Sequence, residues 1–401
     1  MPKQTGLQGI IKHRLQLIRD LEKTLGQGHR ILTYVLMGRQ IDGTDHVRGA
    51  GMGQDAIRLM YDHLLKLRGN LKKESLKVDI FIVSNGGDTA VPWRIASMIR
   101  EIAGEFNVLV PYNAMSAATL LCLGADNIFM GPKGELGPVD PTLHNHPLLP
   151  ESADHKKVPV SVEDVTSFID FVKNKFGVQH EDELVHALDS LTNQVPAILV
   201  GMVNRQHSYI RMVGERLLEL RKEKSAPETR KWIIESLVEG VTFHGHAISR
   251  QEAQKKLRLH VVQDHKKQKE LEKRMWDLYL AYEKDFKVRD SIRLQDYLKG
   301  DLFAVETGDI SLGAIESHAH SDLFNYRFKV KRKTKIVPDL KMQFQLPPGF
   351  DPETTTPEKL QKILKHLADR IGPAAKEAVI QQIYTHEIEW NPSKAKWDRI
   401  K

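Results

Sequence analysis

The sequence has 401 residues, of which 41% are hydrophobic and 28% charged, and its formal net charge is +7. The single cysteine, Cys122, excludes an internal disulfide framework and a multi-cysteine zinc site. No run approaches the ~20 apolar residues of a membrane span. The first residues, MPKQTGLQGIIKHRLQLIRD, place charges among their apolar positions and lack a small-residue cleavage site. We therefore expect a cytoplasmic protein with no membrane span.

The basic charge permits acidic partners, but its distribution does not favour nucleic acid. The densest basic stretch, residues 255–274, mixes glutamate and aspartate with its lysines and arginines. No phenylalanine, tryptophan or tyrosine interleaves with them. Nucleic-acid sites usually combine basic residues with aromatic stacking platforms. This stretch is therefore expected to be the solvated face of a helix.

Helices and strands alternate through the first third of the chain. The hydrophobic pattern predicts helices over 6–25, 52–68, 90–102 and 116–125, and strands over 30–38, 78–83, 106–110 and 127–131. Strand–helix–strand units this short imply parallel strands joined by right-handed crossovers. The sequence thus predicts an α/β fold with a parallel β-sheet core and surrounding helices.

The rest of the chain is predicted to be mainly helical. The helical patterns cover 161–176, 193–224, 228–239, 249–257 and the charged stretch 265–300. The segment LPPGFDPETTTP has the composition of a linker. We therefore divide the chain into an α/β core over 1–264, a charged helical extension over 265–345, and a linker with a small helical C-terminal appendage over 346–401.

A glycine pair and a serine follow neighbouring strands of the predicted sheet. Gly86 and Gly87 end the strand in FIVSNGGDTA, and Ser116 follows the next strand, at the start of an almost wholly apolar helix. Ligands of parallel sheets bind outside the carboxyl ends of the strands. The two features are therefore expected to face the same crevice.

This pattern suits acyl transfer. The N–H groups of Gly87 and Ala117 could form a two-donor oxyanion hole around a carbonyl carbon attacked by Ser116. The local pattern alone also allows Ser116 to be only a helix cap and the glycines only a turn. A phosphate cradle is not indicated, because neither GxGxxG nor GxxxxGK[ST] is present.

Two longer segments resemble the ClpP/crotonase superfamily, and within it the serine dehydrogenase proteinases, a branch related to signal peptide peptidase A. They are VSNGGDTAVPWRIASMIRE and VPYNAMSAATLLCLGADNIFMGPKGELGPVDPTL, and a weaker similarity runs through 193–262. The resemblance implies a serine-type peptidase acting on peptides or proteins, without a cofactor, and a homo-oligomer. It implies that Ser116 is the nucleophile and that Gly87 and Ala117 donate to the oxyanion.

The sequence departs from the family pattern around the site. Asn85 stands where a proline is usual, Met115 where many relatives have a lysine, and no histidine lies near Val139 or Asp140, where the Clp peptidase has its base. Gly86 and Asp140 are expected to line the site, Asp140 as part of the crevice wall or simply as a turn residue.

The general base is therefore sought elsewhere. Relatives of the signal-peptide-peptidase type use a lysine forty to fifty residues after the serine, and Lys156 and Lys157 lie in that window. A lysine base must be neutral, which requires burial or cationic neighbours. We predict Lys157, with Lys156, His207 and His244 or His246 as competitors.

Other functions remain open from the sequence. The histidine pairs at 144 and 146 and at 244 and 246 supply too few ligands for a metal site, and none is predicted. An acyl-CoA hydratase or hydrolase on the same fold would use glutamates, of which Glu135 is the local one. A non-catalytic assembly module would have kept the fold and lost a working base.

Overall fold

The structure is a computed structural model. It describes residues 2–42, 47–139, 142–143, 146–152, 157–238, 246–263, 266–293, 296, 306–334, 356, 358–359, 361–363, 365, 384–390 and 395–400. Within that part of the chain, no helix is long and apolar enough to cross a membrane.

Fifteen strands are present in the described residues. They are β1 His29–Leu36, β2 Gly38–Gln40, β3 Val47–Gly49, β4 Lys77–Val83, β5 Glu105–Val110, β6 Asn113–Ala114, β7 Asn127–Met130, β8 Glu135–Leu136, β9 Thr142–Leu143, β10 Val160–Ser161, β11 Ile248–Ser249, β12 Glu306–Ser317, β13 His320–Thr334, β14 Tyr384–Trp390 and β15 Lys396–Ile400.

Ten α-helices accompany these strands in the same ranges. They are α1 Pro2–Leu25, α2 Asp55–Arg68, α3 Val91–Ile102, α4 Ala117–Leu123, α5 Val162–Asp170, α6 Glu181–Gln194, α7 Ala197–Glu219, α8 Pro227–Val238, α9 Arg250–Lys255 and α10 Gln268–Asp285. Phe171–Lys175 extends α5 as a π-helical turn.

One large sheet organises the chain, in the order β14-β13-β12-β1-β4-β5-β7, with β15 pairing β13 beside β14. The strands β1, β4, β5 and β7 are parallel to one another, while β12 to β15 join the sheet by antiparallel pairs. The predicted α/β fold is confirmed. Its parallel half contains the four predicted strands.

Helices cover both faces of the sheet because alternate strand residues point to opposite sides. Ile80, Ile82 and Val108 pack in the cluster that includes the buried faces of α2, α3 and α4. Phe81 and Leu109, the next residue along each strand, pack in the cluster that includes α1 and α10. Strands buried on both faces explain the continuous apolar run in VDIFIV.

The predicted helical extension is wrong beyond α10. That helix ends at Asp285, and the described residues 306–334 form the hairpin of β12 and β13. The tail was expected to be helical and is so at 358–359 and 361–363, but β14 and β15 add two strands. The charged run in NYRFKVKRKT therefore belongs to β13, which pairs with β12 on one side and with β14 and β15 on the other. The predicted domain boundaries stay a prediction.

A buried arginine ties the antiparallel half to the helices. Arg14 of α1 is 1% exposed and donates to both carboxylate oxygens of Glu316 in β12, at 2.9 and 2.7 Å, and to Asp285 at the end of α10. The hydroxyl of Tyr282 donates to Glu316 at 2.6 Å. Burial alone would lower the pKa of Arg14, but the hydrogen bonds and charges of these acids raise it. The cation therefore stays charged inside the protein.

A second buried network joins α2 to β13 and β15. The rings of His63 and His320 are stacked 3.5 Å apart, and Asp322 Oδ2 lies 3.1 Å from His63 Nε2 and 3.5 Å from His320 Nε2. Arg399 donates to both oxygens of Asp322 at 3.0 Å. Burial and the neighbouring His63, Lys66 and Arg399 charges lower the pKa of His320 to about 4.

This network predicts a loss of stability in mild acid. The unfolded chain takes up a proton at His320 near its ordinary pKa of about 6.5, whereas the folded chain takes it up only near 4. Between these values the unfolded state binds more protons, so stability falls as the pH falls. When the pH is lowered from 7 to 5, the free energy of unfolding of the wild type should fall by on the order of 1 kcal/mol more than that of a His320→Phe variant. Urea unfolding of both proteins at the two pH values measures this, and equal pH dependence would contradict it.

Candidate active site

The glycine loop and the serine loop are joined directly at the carboxyl edge of the parallel strands. Ser84 follows β4, and its N–H donates to the Asn113 carbonyl at 3.0 Å. Its own carbonyl accepts from the Met115 N–H at 2.9 Å, which forms a parallel bridge to Ala114. The structure therefore brings the predicted glycine pair and Ser116 together.

Gly86 lies against Ser116. Its φ of +102° is one that side chains rarely adopt, and a Cβ at this position would meet the Ser116 Cβ at 2.8 Å and the Met115 carbonyl oxygen at 3.0 Å. Only glycine lets the two backbones approach this closely. Gly86 therefore packs directly against Ser116, and its role in lining an active site stays a prediction.

Gly87 is bracketed by Met52, a residue that the sequence analysis did not single out. The Met52 N–H donates to the Gly86 carbonyl at 2.8 Å, and the Met52 carbonyl accepts from the Asp88 N–H at 2.9 Å. This parallel bridge leaves the N–H of Gly87 unused, and no acceptor for it occurs among the described residues. A Cβ at Gly87 would lie 2.5 Å from the Met52 carbonyl oxygen.

Ser116 has an unusual backbone conformation for a residue with a side chain. It has φ 51° and ψ −116°, directly before the first residue of α4. Such a conformation costs about 1–3 kcal/mol and is typical of functional positions. A serine held on a sharp strand-to-helix turn has its hydroxyl exposed in the nucleophile elbow of hydrolases.

The hydroxyl and the following N–H are both available. The Ser116 side chain makes no capping hydrogen bond to α4, so the interpretation as a simple helix cap is wrong. Ala117 is buried, and its N–H has no acceptor among the hydrogen bonds of the described residues. Two N–H groups without an acceptor among the described residues, those of Gly87 and Ala117, thus come directly after Gly86 and Ser116, which are in contact.

Thr119 holds the turn that carries Ser116. Its buried hydroxyl lies 2.7 Å from the Ala114 carbonyl oxygen and accepts from the Gly137 N–H at 3.0 Å. Gly137 packs closely on Met115, because a Cβ there would come within 3.3 Å of the Met115 Cβ. Met115 therefore acts in packing at the position where many relatives carry a lysine.

Lys157 is engaged away from Ser116 in this conformation. Its Nζ donates to the carbonyls of Pro147 and Leu149 at 2.9 and 3.1 Å and lies 2.9 Å from Glu151 Oε1. Carbonyl oxygens and a carboxylate are the partners of a charged ammonium group. The structure does not bring Lys157 into hydrogen-bond contact with Ser116, and its role as base stays a prediction.

Some of the competing residues lie in the described part of the chain and others lie outside it. His246 is exposed and lies 3.3 Å from Glu252, and His207 lies on α7. Lys156, His244 and the predicted wall residue Asp140 lie outside the described residues.

Two further acidic residues near the site, Glu135 and Asp126, belong to the framework of strands and helices. Glu135 lies in β8, where its N–H donates to the Tyr112 carbonyl at 2.6 Å. Asp126 of the LGAD motif accepts from the Arg100 side chain and from the N–H groups of Phe106 and Lys222. These hydrogen bonds lower the pKa of Asp126 although its burial acts to raise it. Asp126 therefore joins α3 to the end of α7.

One group in the described residues has the side chains of a metal site. The ligand atoms of His63, His320 and Asp322 lie within 4.8 Å of one another. Arg399 already donates to both oxygens of Asp322, and His63 Nε2 lies 3.1 Å from the same carboxylate. The arrangement fits an ion-pair network better than a metal centre.

The comparison with protein families agrees with the motifs. Residues 65–197 match the model of a family described as ClpP-like SDH-type serine proteinase. The matched segment contains Gly86, Gly87, Ser116 and Ala117. It confirms the resemblance that these motifs indicated and places a ClpP-like segment at the centre of the α/β fold.

Two curated relatives are similar over part of their length. Both are uncharacterized proteins of Methanocaldococcus jannaschii. One, MJ0137, is 27% identical over 44% of this chain and 50% of its own length. The other, MJ1495, is 28% identical over 60% of this chain and 68% of its own length. The chain thus spans between half and about two thirds of these relatives.

Two solved structures of mutants of the 1510-N membrane-bound stomatin-specific protease are also similar. One, in complex with a substrate peptide, is 16% identical, covers 51% of this chain and 69% of its own, and has a TM-score of 0.29. The other is 16% identical, its match covers 54% of this chain and 77% of the other chain, and its TM-score is 0.31. TM-scores this low carry no argument about this chain.

The backbone at Ser116 predicts an unusual mutational effect. Ser116→Gly should raise the free energy of unfolding by about 1 kcal/mol relative to Ser116→Ala, because glycine relieves the strain at φ 51°. At Ser208, an exposed position within α7, the glycine variant should instead have a free energy of unfolding about 1 kcal/mol lower than the alanine variant. Chemical denaturation of the four variants measures both differences, and an alanine variant at 116 as stable as the glycine variant would contradict the strain.

Proposed function

We propose that this protein is a serine-type peptidase with Ser116 as its nucleophile. The observation that carries the proposal is the strained Ser116 turn, packed on Gly86, with two N–H groups beside it that have no acceptor among the described residues. The family match supports it, because a ClpP-like serine-proteinase model covers this segment.

The proposed reaction begins with attack by Ser116 Oγ on a peptide carbonyl carbon. As the new C–O bond forms, the carbonyl electron pair moves to its oxygen, where the N–H groups of Gly87 and Ala117 donate to it. The Ser116 proton passes to a base, which then delivers it to the leaving amine as the C–N bond breaks. Water then attacks the acyl carbon and gives its proton to the base, which returns the proton to Ser116 Oγ as the ester C–O bond breaks.

Lys157 is the proposed base, as the resemblance to signal-peptide-peptidase relatives implies. To take the Ser116 proton, its amine must be neutral and must leave the carbonyls of Pro147 and Leu149 and the Glu151 carboxylate. Substrate binding would therefore have to break these contacts of Lys157. The state in which Lys157 is bound to these oxygens would then be a resting state.

A homo-oligomer and a cytoplasmic location are also proposed. We expect an oligomer to bury the large exposed apolar side chains that follow α5, among them Phe171 at 52% and Phe176 at 72% exposure. Exposed apolar surface of this kind marks contact sites when it is contiguous.

Labelling with a fluorophosphonate probe tests the nucleophile. Wild type and a Ser208→Ala control should carry the adduct on Ser116, whereas Ser116→Ala should carry none, as read by mass spectrometry of the labelled peptides. The Ser116→Ala protein must first show wild-type unfolding, so that loss of labelling reports chemistry. If folded wild type is not labelled, the peptidase proposal fails and coenzyme A binding becomes the test of the hydratase alternative.

Substitution of the two lysines tests the base. Lys157→Ala should lower the rate of labelling and of peptide cleavage by about 10²-fold or more, since general-base catalysis contributes roughly that factor. Lys156→Ala, its neighbour in sequence, should leave both rates within a factor of two or three. Equal effects of the two substitutions, or none, would remove Lys157 from the mechanism.

A further inference from the structure

A cavity of about 310 Å³ opens at the same sheet edge as the candidate site. Its walls come from Pro111, which follows β5, from Pro132 and Lys133, which follow β7, and from Trp276 of α10. The walls are therefore largely apolar and fixed by the ends of two core strands. The quoted motif and the family match contain Pro111, Pro132 and Lys133, but Trp276 of α10 lies outside both, and no sequence pattern indicated a cavity between them.

The aromatic wall of the cavity is held rigidly. The Trp276 ring is stacked on Tyr279, with centroids 4.8 Å apart and planes 20° from parallel. Tyr279 in turn lies 5.1 Å from the ring of Tyr112. Such a supported aromatic surface can bind a flat or apolar side chain without ordering itself on binding.

The mouth of the cavity is basic. Lys133, Lys269 and Lys273 line it, and Lys133 Nζ lies 4.8 Å from the centre of the Trp276 ring. The lining contains one carboxylate, Glu272, which is bound by Arg250 at 2.6 Å and by Gln268 at 2.9 Å.

The three lysines differ in their own partners. Lys273 pairs with Asp277 on the outer face of α10. In the described part of the chain, Lys269 has no hydrogen bond or ion pair. The net field at the mouth is therefore positive and favours a carboxylate over a cation.

The cavity is connected to Ser116 through a short piece of chain. Pro111 begins the segment that continues through Tyr112 and β6 to Ser116. Lys133 lies two residues before Glu135, which pairs in register with Asn113 of β6. A peptide that reached both the cavity and Ser116 would therefore have to follow the segment that contains β6.

We propose that the cavity is a substrate-recognition pocket that binds an aromatic or apolar side chain of a peptide next to an acidic residue. The apolar residue would pack on Trp276 and the prolines, and its acidic neighbour would pair with Lys133, Lys269 or Lys273. The volume, at the lower end of ligand pockets, accommodates one large side chain better than a nucleotide cofactor. This proposal rests on the proposed peptidase function and adds its substrate class.

Peptide binding to the folded Ser116→Ala protein tests the pocket without requiring catalysis. Three fluorescein-labelled hexapeptides differ at one position, with the sequence Phe–Asp, Phe–Asn or Phe–Lys at their centre, and anisotropy gives their Kd. The Phe–Asp peptide should bind at least tenfold more tightly than Phe–Asn at low salt, and Phe–Lys most weakly. Raising the salt concentration should narrow the difference, because the lysines are at the surface.

Two variants in the Ser116→Ala background locate the binding. The triple substitution Lys133→Glu, Lys269→Glu and Lys273→Glu should reverse the order of the Asp and Lys peptides. A charge-matched control with glutamate at the exposed residues Lys224, Lys231 and Lys255 should preserve that order. Trp276→Ala should weaken all three peptides about tenfold or more.

The outcomes separate this proposal from the peptidase function. Selective binding that depends on the lysines, with no fluorophosphonate labelling of wild type, would support the pocket and reject the nucleophile. Labelling of Ser116 with no discrimination among the peptides would keep the peptidase and overturn the pocket. Displacement of the Phe–Asp peptide by micromolar coenzyme A would overturn the assigned ligand class.

Discussion

The candidate site depends on two hydrogen bonds that Ser84 makes to the chain around Ala114. They fix the loop after β4 against the loop before α4, so that Gly86 touches Ser116. The loops can approach because Gly86 has no side chain. The bridge between Ser84 and Ala114 then fixes their register. The strain at Ser116 is maintained by these contacts and by Thr119 below it.

The antiparallel half of the sheet supports this arrangement from the side opposite to β5 and β7. Arg14 and Glu316 connect α1 to β12, and β12 pairs with β1 along Thr33 to Leu36. The parallel strands are consequently flanked by a second set of strands, and β1 is not an edge. A buried ion pair of this kind contributes geometry more surely than net stability.

The sequence predicted the parallel half well and the antiparallel half poorly, for physical reasons. Short β-branched runs and glycines at strand ends are local signals, so β4, β5, Gly86 and Ser116 could be found. The pairing of β12 with β1 joins residues far apart in sequence, which no local pattern encodes. Met52 was missed although the glycines around it, at 49, 51 and 53, indicate a close backbone approach.

The last strand, β15, has a consequence for when the site becomes complete. Trp397 Nε1 donates to Asp55 at the start of α2 at 3.0 Å, and Met52, three residues earlier, brackets Gly87. During synthesis on the ribosome, Ser116 emerges long before Trp397. A growing chain therefore contains its serine before the strand that contacts the start of α2 exists, and the segment that brackets Gly87 lacks this contact until β15 has been made.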